Sequence, residues 1–326
     1  MIQKQSNQNP RCSIIIRAYN EERFIGRLLE GIMQQSEKDF EIILVDSGST
    51  DRTVEIANQY PVRVVGITPE EFSFGRALNL GISHSAGEFL VIVSAHVYPV
   101  YPDWLERLLA PFASPQVGLT YGKQRGGPSS YFSERQIFST WYPESSQPRQ
   151  ATPFCNNANA AVRRALWEQV PYDESLSGLE DLAWAKKIMD LGHAIAYVAE
   201  AEIIHIHSET PRKVLNRYRR EAIAFKRTFP EEKFHFGSFM RLFLANAFAD
   251  LWHAARLRAL LNNWKSILWF RWMQFWGTYQ GFRQSGPLTW QLRQTFYYPG
   301  SRLPAPAAPP RSVNPIEYKS EPDEAS

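Results

Sequence analysis

The sequence predicts an α/β fold built on a mostly parallel sheet, and two features of the first fifty residues carry this prediction. Residues 13–16 and 41–45 are short, continuous runs rich in Ile and Val, which are typical of strands buried on both faces. Between them, residues 24–33 repeat apolar side chains at helical spacing. A strand, a helix and a strand in this order predict two parallel strands joined by a crossover helix.

Both runs end in polar turns that carry acids, Arg17–Glu22 after the first and Asp46–Asp51 after the second. The carboxyl ends of parallel strands meet at one edge of a sheet, where open α/β folds bind their ligands. We therefore expect a small-molecule site that includes these two turns.

The rest of the chain continues the alternation of strands and helices. Further strands are predicted at residues 62–67, 89–93, 194–198 and 201–205, and helices at residues 75–83, 104–112, 182–191 and from 211 onward. Asp103 is a candidate N-cap for the helix that begins at Trp104. Residues 122–153 are rich in Gly, Pro, Ser and Gln, so we expect a loop that covers the site.

Composition describes an ordinary globular protein: 326 residues, 44% of them hydrophobic and 21% charged. The two cysteines, Cys12 and Cys155, form no CxxC pair, which favours a reduced, cytoplasmic location. We expect neither a signal peptide nor a transmembrane segment, because no apolar run reaches the roughly 18–20 residues that span a bilayer. The net charge of +3 does not indicate nucleic acid as a partner.

The C-terminal part differs from the rest in being basic and rich in tryptophan. Six of the ten tryptophans lie beyond Gly237, where Asp250 is the only acid before the tail. This pattern is typical of a helix at a membrane interface, and the alternative is a helical homodimer interface. The predicted division is a disordered N-terminus (1–10), a core domain (11–230), a basic helical extension (231–298) and a disordered tail (299–326). The expected location is cytoplasmic, with peripheral attachment at the inner face of the cell membrane.

Several ordered motifs together resemble the family 2 glycosyltransferases of GT-A fold. Tyr19-Asn20-Glu21 follows the first strand, Val45–Asp51 follows the second, and Glu180-Asp181 precedes a helix that begins Leu-Ala-Trp. The resemblance extends to about residue 230. The sequences of residues 47–51 and 72–75 are similar to those of rhamnosyltransferase-like members. It implies a Rossmann-like, mixed and mostly parallel sheet flanked by helices, here with a C-terminal helical extension.

The resemblance also implies an activity. Such a protein is an inverting glycosyltransferase that moves a sugar from a UDP- or dTDP-linked donor to a hydroxyl of a glycan or lipid-linked saccharide, as in envelope polysaccharide biosynthesis. The alternative is a catalytically inactive nucleotide-sugar-binding protein of the same fold, since the usual metal-binding acids are missing. The presence of Glu180-Asp181 argues against that alternative.

The resemblance assigns the donor nucleotide to the ends of the strands. Asp46 and Asp51 would contact the base and ribose, whose polar groups donate hydrogen bonds to carboxylates. The other donor-binding candidates are Ala18, Tyr19, Glu21, Ser47, Ser94 and Ala95, with Arg76 at a basic position near the donor phosphates. The alternatives are that Asp46 only closes a turn and that Arg76 is a solvated surface side chain.

Ser94-Ala95-His96 departs from the family, in which Asp-x-Asp at this place holds a divalent metal on the donor diphosphate. His96 falls at the second Asp position. Imidazole binds Mn²⁺, whereas Mg²⁺ prefers oxygen ligands. Three interpretations stay open: a metal site (Mn²⁺ or Mg²⁺) that contains His96, a diphosphate held by cationic side chains without metal, and a structural histidine.

In metal-dependent relatives a second histidine, downstream of the base, completes the metal site, and His207 is nearest to that position. His205 and His207 are two residues apart on a strand-like run, and we assign them to opposite faces, so that only one of them reaches the site. A solvent-exposed histidine at a strand end is the alternative for His207.

Displacement at the anomeric carbon with inversion needs one base to take the acceptor proton. The resemblance makes Asp181 this base and gives Glu180 an orienting role. We expect the helix N-terminus to keep Asp181 ionised, and the alternative for both acids is helix capping. The acceptor-binding candidates are Asn157, Asn159 and Trp184.

Overall fold

An eight-stranded mixed sheet lies at the centre of the computed structural model, which describes residues 9–207, 210–284, 313, 314 and 316. The strands are β1 (Cys12–Ala18), β2 (Phe40–Asp46), β3 (Val62–Gly66), β4 (Phe89–Ser94), β5 (Val97–Pro99), β6 (Val117–Gly126), β7 (Asn159–Arg163) and β8 (Ala194–His205). Their spatial order is β3-β2-β1-β4-β7-β6-β8-β5, and only β7 and β5 run against the others. The predicted α/β class with a mostly parallel sheet is confirmed.

Helices cover both faces of the sheet. They are α1 (Ile25–Met33), α2 (Thr53–Ala57), α3 (Phe74–Ser83), α4 (Trp104–Leu109), α5 (Phe132–Trp141), α6 (Arg164–Gln169), α7 (Glu180–Asp190), α8 (Pro211–Thr228), α9 (Phe236–Arg256) and α10 (Leu260–Arg283). Alternate residues of β1 pack into two apolar layers: Ile14 and Ile16 pack with Leu28 of α1, whereas Ile15 packs with Leu78 of α3. Burial on both faces explains why the strands are continuous apolar runs.

Several predicted boundaries are wrong. Residues 122–153 are not a single loop, because they contain the end of β6 and the whole of α5. The two strands expected at 194–198 and 201–205 are one strand, β8, which continues through an irregularity in its pairing with β6. Asp103 makes no side-chain capping bond to α4; its carboxylate accepts a hydrogen bond from Arg107 instead. The disorder expected at 1–10 and 299–326 concerns positions that lie almost entirely outside the described residues.

The last three helices pack closely on one another and on α5. Gly277 and Gly281 of α10 face α8, where a Cβ atom on Gly277 would lie 2.4 Å from the carbonyl oxygen of Leu215. Arg271 of α10 and Asp250 of α9 form a buried ion pair with an Nε–Oδ2 distance of 2.8 Å, and Arg271 also bonds to the Ser133 carbonyl. No helix in the described part of the chain is long and apolar enough to cross a membrane.

Candidate active site

The carboxyl ends of β1, β2 and β4 open into a cavity of about 930 Å³, called the main cavity below. Its walls come from most of the chain, including the turn after β1, residues 154–158, the start of α7, the end of β8 and one face of α8. Ten of the candidate residues line it: Ala18, Tyr19, Glu21, Ser47, Ser94, His96, Asn157, Glu180, Asp181 and His207. The strand topology therefore brings most of the candidates together.

Asp46 closes the turn after β2. Its Oδ2 accepts hydrogen bonds from the backbone N–H groups of Gly48 (3.1 Å) and Ser49 (3.0 Å), and Gly48 has a φ of +84°, which favours glycine. Its other oxygen, Oδ1, is buried and has no hydrogen-bond partner within the described residues. A buried carboxylate oxygen without a partner is uncommon. Asp46 itself does not line the main cavity, but its neighbour Ser47 does.

Asp51 is used within the protein. Its carboxylate accepts hydrogen bonds from the hydroxyl and the N–H of Thr53 and from the N–H of Glu22, at 2.5, 2.9 and 3.0 Å. Burial alone would raise the pKa of Asp51, but these hydrogen bonds outweigh it and lower the pKa. Asp51 joins the turns after β1 and β2 and does not line the main cavity.

Three histidines form a cluster in the main cavity. One ring nitrogen from each of His96, His205 and His207 lies within 4.8 Å of the others. The short strand β5 brings His96 close to the other two histidines, because its antiparallel pairing with β8 places Val97 opposite His205. The assignment of His205 and His207 to opposite faces is wrong: residues two apart on extended backbone share a face, and their rings are 3.8 Å apart.

The surroundings of this histidine cluster suit a metal ion. Nδ1 of His96 donates to Glu21 Oε1 at 2.7 Å, and Nδ1 of His205 donates to Gln124 Oε1 at 2.8 Å, so each ring keeps Nε2 as an acceptor. Ligating histidines in metal sites are held by the same kind of second bond. The buried atom His205 Nε2 has no hydrogen-bond partner among the residues described, and His207 Nδ1 has only a contact of 3.5 Å with Glu134 Oε1.

The protonation of the cluster supports the same conclusion. Burial, with added repulsion from neighbouring cations, holds the pKa of His205 and of His207 well below its usual range. Both rings are therefore neutral at pH 7, the form that binds metals. Imidazole ligands favour first-row transition-metal ions over Mg²⁺, which prefers oxygen.

The acidic pair at the start of α7 faces the same cavity. Oδ2 of Asp181 accepts the N–H of Asn157 at 2.9 Å, and Oδ1 accepts the N–H of Leu182 at 2.8 Å. Burial, then the charge of Glu180, raises the pKa of Asp181 to about 7, although these bonds and Arg17 oppose the rise. The helix N-terminus was expected to keep Asp181 ionised, but burial opposes ionisation more strongly and raises the pKa of Asp181 instead.

Glu180 is held by a cation that sequence reasoning did not single out. Nη1 of Arg17 lies 3.0 Å from Oε1 of Glu180, and both side chains are largely buried. The guanidinium of Arg17 also lies over the ring of Phe74, with the carbon Cζ 4.8 Å from the centroid. Asn157 contributes a longer contact of 3.4 Å to Glu180.

Four other candidates lie away from the main cavity. Arg76 is exposed and pairs with Glu71 at 2.9 Å. Asn159 bonds to Trp104 and to two backbone carbonyls within the core, and the indole of Trp184 donates to the Val170 carbonyl. Ala95 is fully buried.

One basic face of α8 completes the cavity wall. Lys213, Arg217 and Arg220, at a spacing of four and three residues, all line it. Arg217 pairs with the buried Glu134 at 3.0 Å, and burial raises the pKa of Glu134 to about 7 despite this pairing. The helical spacing of these three residues is visible in the sequence.

The sequence is similar to those of known glycosyltransferases. Residues 13–170 match the family described as Glycosyl transferase family 2. The chain is 26% identical over 220 residues to the O-antigen chain rhamnosyltransferase RfbN of Salmonella typhimurium, covering 64% of this chain and 70% of the relative. It is 29% identical over 196 residues to WbaN of Salmonella anatum, also an O-antigen chain rhamnosyltransferase, covering 57% and 62%.

Among solved structures, the fold is similar to that of the mannosyltransferase PcManGT from Pyrobaculum calidifontis, which was solved with GDP-Man and Mn²⁺. The TM-score is 0.56 at 22% identity, over 85% of each chain. The mixed sheet with a cavity at its carboxyl edge thus has the GT-A fold. Residues 13–170 carry the match to glycosyltransferase family 2, and together with the named relatives they support glycosyltransferase activity.

Proposed function

We propose that this chain transfers a sugar, with inversion, from a UDP- or dTDP-linked donor to a hydroxyl of a glycan or lipid-linked saccharide. The observation that carries the proposal is the buried pair Glu180 and Asp181, which faces the same cavity as the turn after β2 and the histidine cluster. The relatives named as O-antigen chain rhamnosyltransferases favour rhamnose as the sugar and an envelope polysaccharide as the product.

In this proposal Asp181 is the general base. Its carboxylate takes the proton of the acceptor hydroxyl while that oxygen bonds to the anomeric carbon, on the face opposite the diphosphate. The bond from the anomeric carbon to the diphosphate oxygen breaks, and the nucleoside diphosphate leaves with the electron pair. A pKa raised to about 7 suits this role, because the base must be partly ionised and still basic enough to accept a proton near neutral pH. Glu180, held by Arg17, and Asn157 would orient the acceptor.

The donor nucleotide would lie along the turns after β1 and β2. The unpartnered Oδ1 of Asp46 is suited to accept a hydrogen bond from the base or ribose, and Ala18, Tyr19, Ser47 and Ser94 line the adjoining wall. Asp51 would act indirectly, by holding the two turns together.

A divalent cation would be held by His96, His205 and His207, with Glu21 and Gln124 orienting the first two rings. When bound, such a cation stabilises the negative charge of the leaving diphosphate. The basic face of α8 lies in the same cavity and favours the same anionic group. The mannosyltransferase of similar fold, which carries GDP-Man and Mn²⁺, is consistent with this choice.

The test is a thermal-unfolding panel of UDP, dTDP and GDP, each with Mn²⁺, Mg²⁺ or EDTA. We expect UDP or dTDP to raise the Tm most when Mn²⁺ is present. The size of the increase follows from mass action, since a ligand at one hundred times its Kd adds about 2.7 kcal/mol of stability. EDTA should remove most of that increase. A nucleotide response that EDTA leaves unchanged would contradict the metal site but not the donor site.

A matched pair of variants distinguishes the loss of a histidine from the cluster from the loss of a histidine elsewhere in the chain. His205→Gln should lose the Mn²⁺-dependent part of the response, measured also as Mn²⁺ binding by electron paramagnetic resonance. His193→Gln, outside the cluster, should keep both. Equal losses in the two variants would show that the cluster is not the ion's site.

A further inference from the structure

Helix α9 carries two apolar faces, of which the described parts of the chain cover only one. Phe239, Ala247 and Ala254 are buried, and Phe239 packs on aromatic rings of α10. Leu244 and Phe248 lie on another face, with exposed fractions of 57 and 70%. Because a soluble helix normally exposes its polar side, this second face needs an explanation.

The exposed residues are regularly spaced and continue beyond α9. Leu244, Phe248 and Trp252 follow one another at intervals of four residues, and Trp252 is 58% exposed. Leu257, directly after α9, is 62% exposed, and Leu261, in the first turn of α10, is 87% exposed. We call these five residues the α9 apolar surface.

The charges around the α9 apolar surface are all of one sign. Arg241 and Arg256 share the exposed face of α9, and the guanidinium of Arg256 lies over the ring of Trp252, 5.5 Å from its centroid. From residue 236 to 283 the sequence contains a single acid, Asp250, which is buried against Arg271. The exposed surface of α9 and α10 is therefore apolar and cationic without an acidic counterpart.

We propose that the α9 apolar surface docks on the interface of an anionic lipid bilayer, with its leucine and aromatic side chains among the acyl-chain ends and the arginines at the headgroups. An amphipathic helix with aromatic and aliphatic residues on one side and Arg at its margins has the composition for this position. A second copy of this chain is a poorer occupant. A two-fold contact through the same face would bring Arg241 and Arg256 near their own equivalents without acids to neutralise them.

Docking of α9 on a bilayer would also influence which acceptor reaches the main cavity. This point rests on the proposed function. Helix α9 packs on α10, and Thr278 and Phe282 of α10 line the main cavity. A bilayer under α9 therefore lies next to the element that forms one wall of the main cavity. This arrangement suits a saccharide acceptor carried on a lipid in the same membrane.

The test is flotation of the full chain with vesicles of phosphatidylcholine, either alone or with about one third phosphatidylglycerol. We expect binding to the anionic vesicles and weaker binding to the neutral ones, with rising salt reducing the difference. The matched pair is Leu244→Gln and Leu191→Gln. Both make the same change, at side chains that are 57 and 56% exposed on different parts of the surface. Leu244→Gln should bind about fivefold more weakly, and Leu191→Gln should bind like the unaltered chain.

The contribution of the two arginines beside the α9 apolar surface is tested by the double variant Arg241→Gln, Arg256→Gln. It should lose about tenfold or more in affinity for anionic vesicles and little for neutral ones. No flotation of the unaltered chain, or equal losses in the two leucine variants, would overturn the proposal. So would light scattering that finds a dimer dissociated by Leu244→Gln, because the occupant would then be a second copy. Donor-nucleotide binding without lipid, measured on each variant, keeps a failure here separate from a failure of the proposed transfer.

Discussion

In the turn after β2, the carboxylate of Asp51 accepts three hydrogen bonds from the protein, whereas Asp181, at the start of α7, accepts two and is enclosed beside Glu180. The pKa of Asp51 is lowered and that of Asp181 is raised to about 7. Both acids belong to motifs that resemble the family. The difference teaches that an acid in such a motif either holds loops together or remains available for chemistry, according to the balance between its burial and the hydrogen bonds it accepts.

The sharpest test of this comparison is Asp181→Asn. Loss of the general base should lower kcat by about 10²–10⁴-fold while donor-nucleotide affinity stays unchanged. Transfer is measured by product formation, and nucleotide binding by calorimetry. The matched control is Asp190→Asn at the other end of the same helix, where the acid is exposed and pairs only on the surface with Lys186; it should keep full activity. Full transfer by Asp181→Asn would remove this residue from the role of base.

Within the second turn, Asp46 and Asp51 should respond differently to the same change. Asp46→Asn should weaken binding of the donor nucleotide about 10- to 100-fold, because a hydrogen bond to a charged group contributes about 1.5–3 kcal/mol. Asp51→Asn should leave affinity nearly unchanged and lower the Tm instead, since its bonds are internal. Isothermal titration and thermal unfolding measure the two effects. Equal losses of affinity would show that Asp51 also contacts the donor.

The two acids should also give opposite dependences of stability on pH. Because the folded-state pKa of Asp181 lies above its ordinary value of 3.8, ionising it in the fold costs stability as pH rises from about 4 to about 7. Asp181→Asn should therefore gain Tm relative to the unaltered chain across that window. The pKa of Asp51 is lowered, so its stabilising contribution is present above its ordinary pKa of 3.8 and is lost as pH falls below it. Asp51→Asn should accordingly cost more Tm at pH 7 than at pH 3. Parallel curves for the two variants would contradict the assignment.

The smallest effect is expected at Arg76. Its guanidinium is exposed and paired with Glu71, so Arg76→Gln should cost no more than about 1 kcal/mol in stability. Donor affinity should change by less than about twofold, because Arg76 does not line the main cavity. A tenfold loss of affinity would indicate that this side chain reaches the donor phosphates, as the family resemblance implies.

The strand and turn units near the N-terminus were predictable because their signals are local. Apolar runs such as residues 13–16 define buried strands, and the turns that follow them contain the hydrogen-bonding groups that turns require. The helix after Glu180-Asp181 was predictable for the same reason. Residues 122–153 were assigned to a loop because their composition is typical of loops, yet packing on α10 and β6 holds a helix there.

By itself, the sequence determined the α/β class and the two acidic turns, since each depends on neighbouring residues, and the family resemblance supplied Asp181 as the candidate base. Only the tertiary structure decided how those groups are used. His96 meets His205 because β5 pairs with β8, although about one hundred residues separate them in the chain. Likewise, Arg17 reaches Glu180, and Asp181 is enclosed, through packing between distant segments. The burial of a site and the charge around it depend on residues that are distant in the chain, so they cannot be predicted from a local sequence pattern.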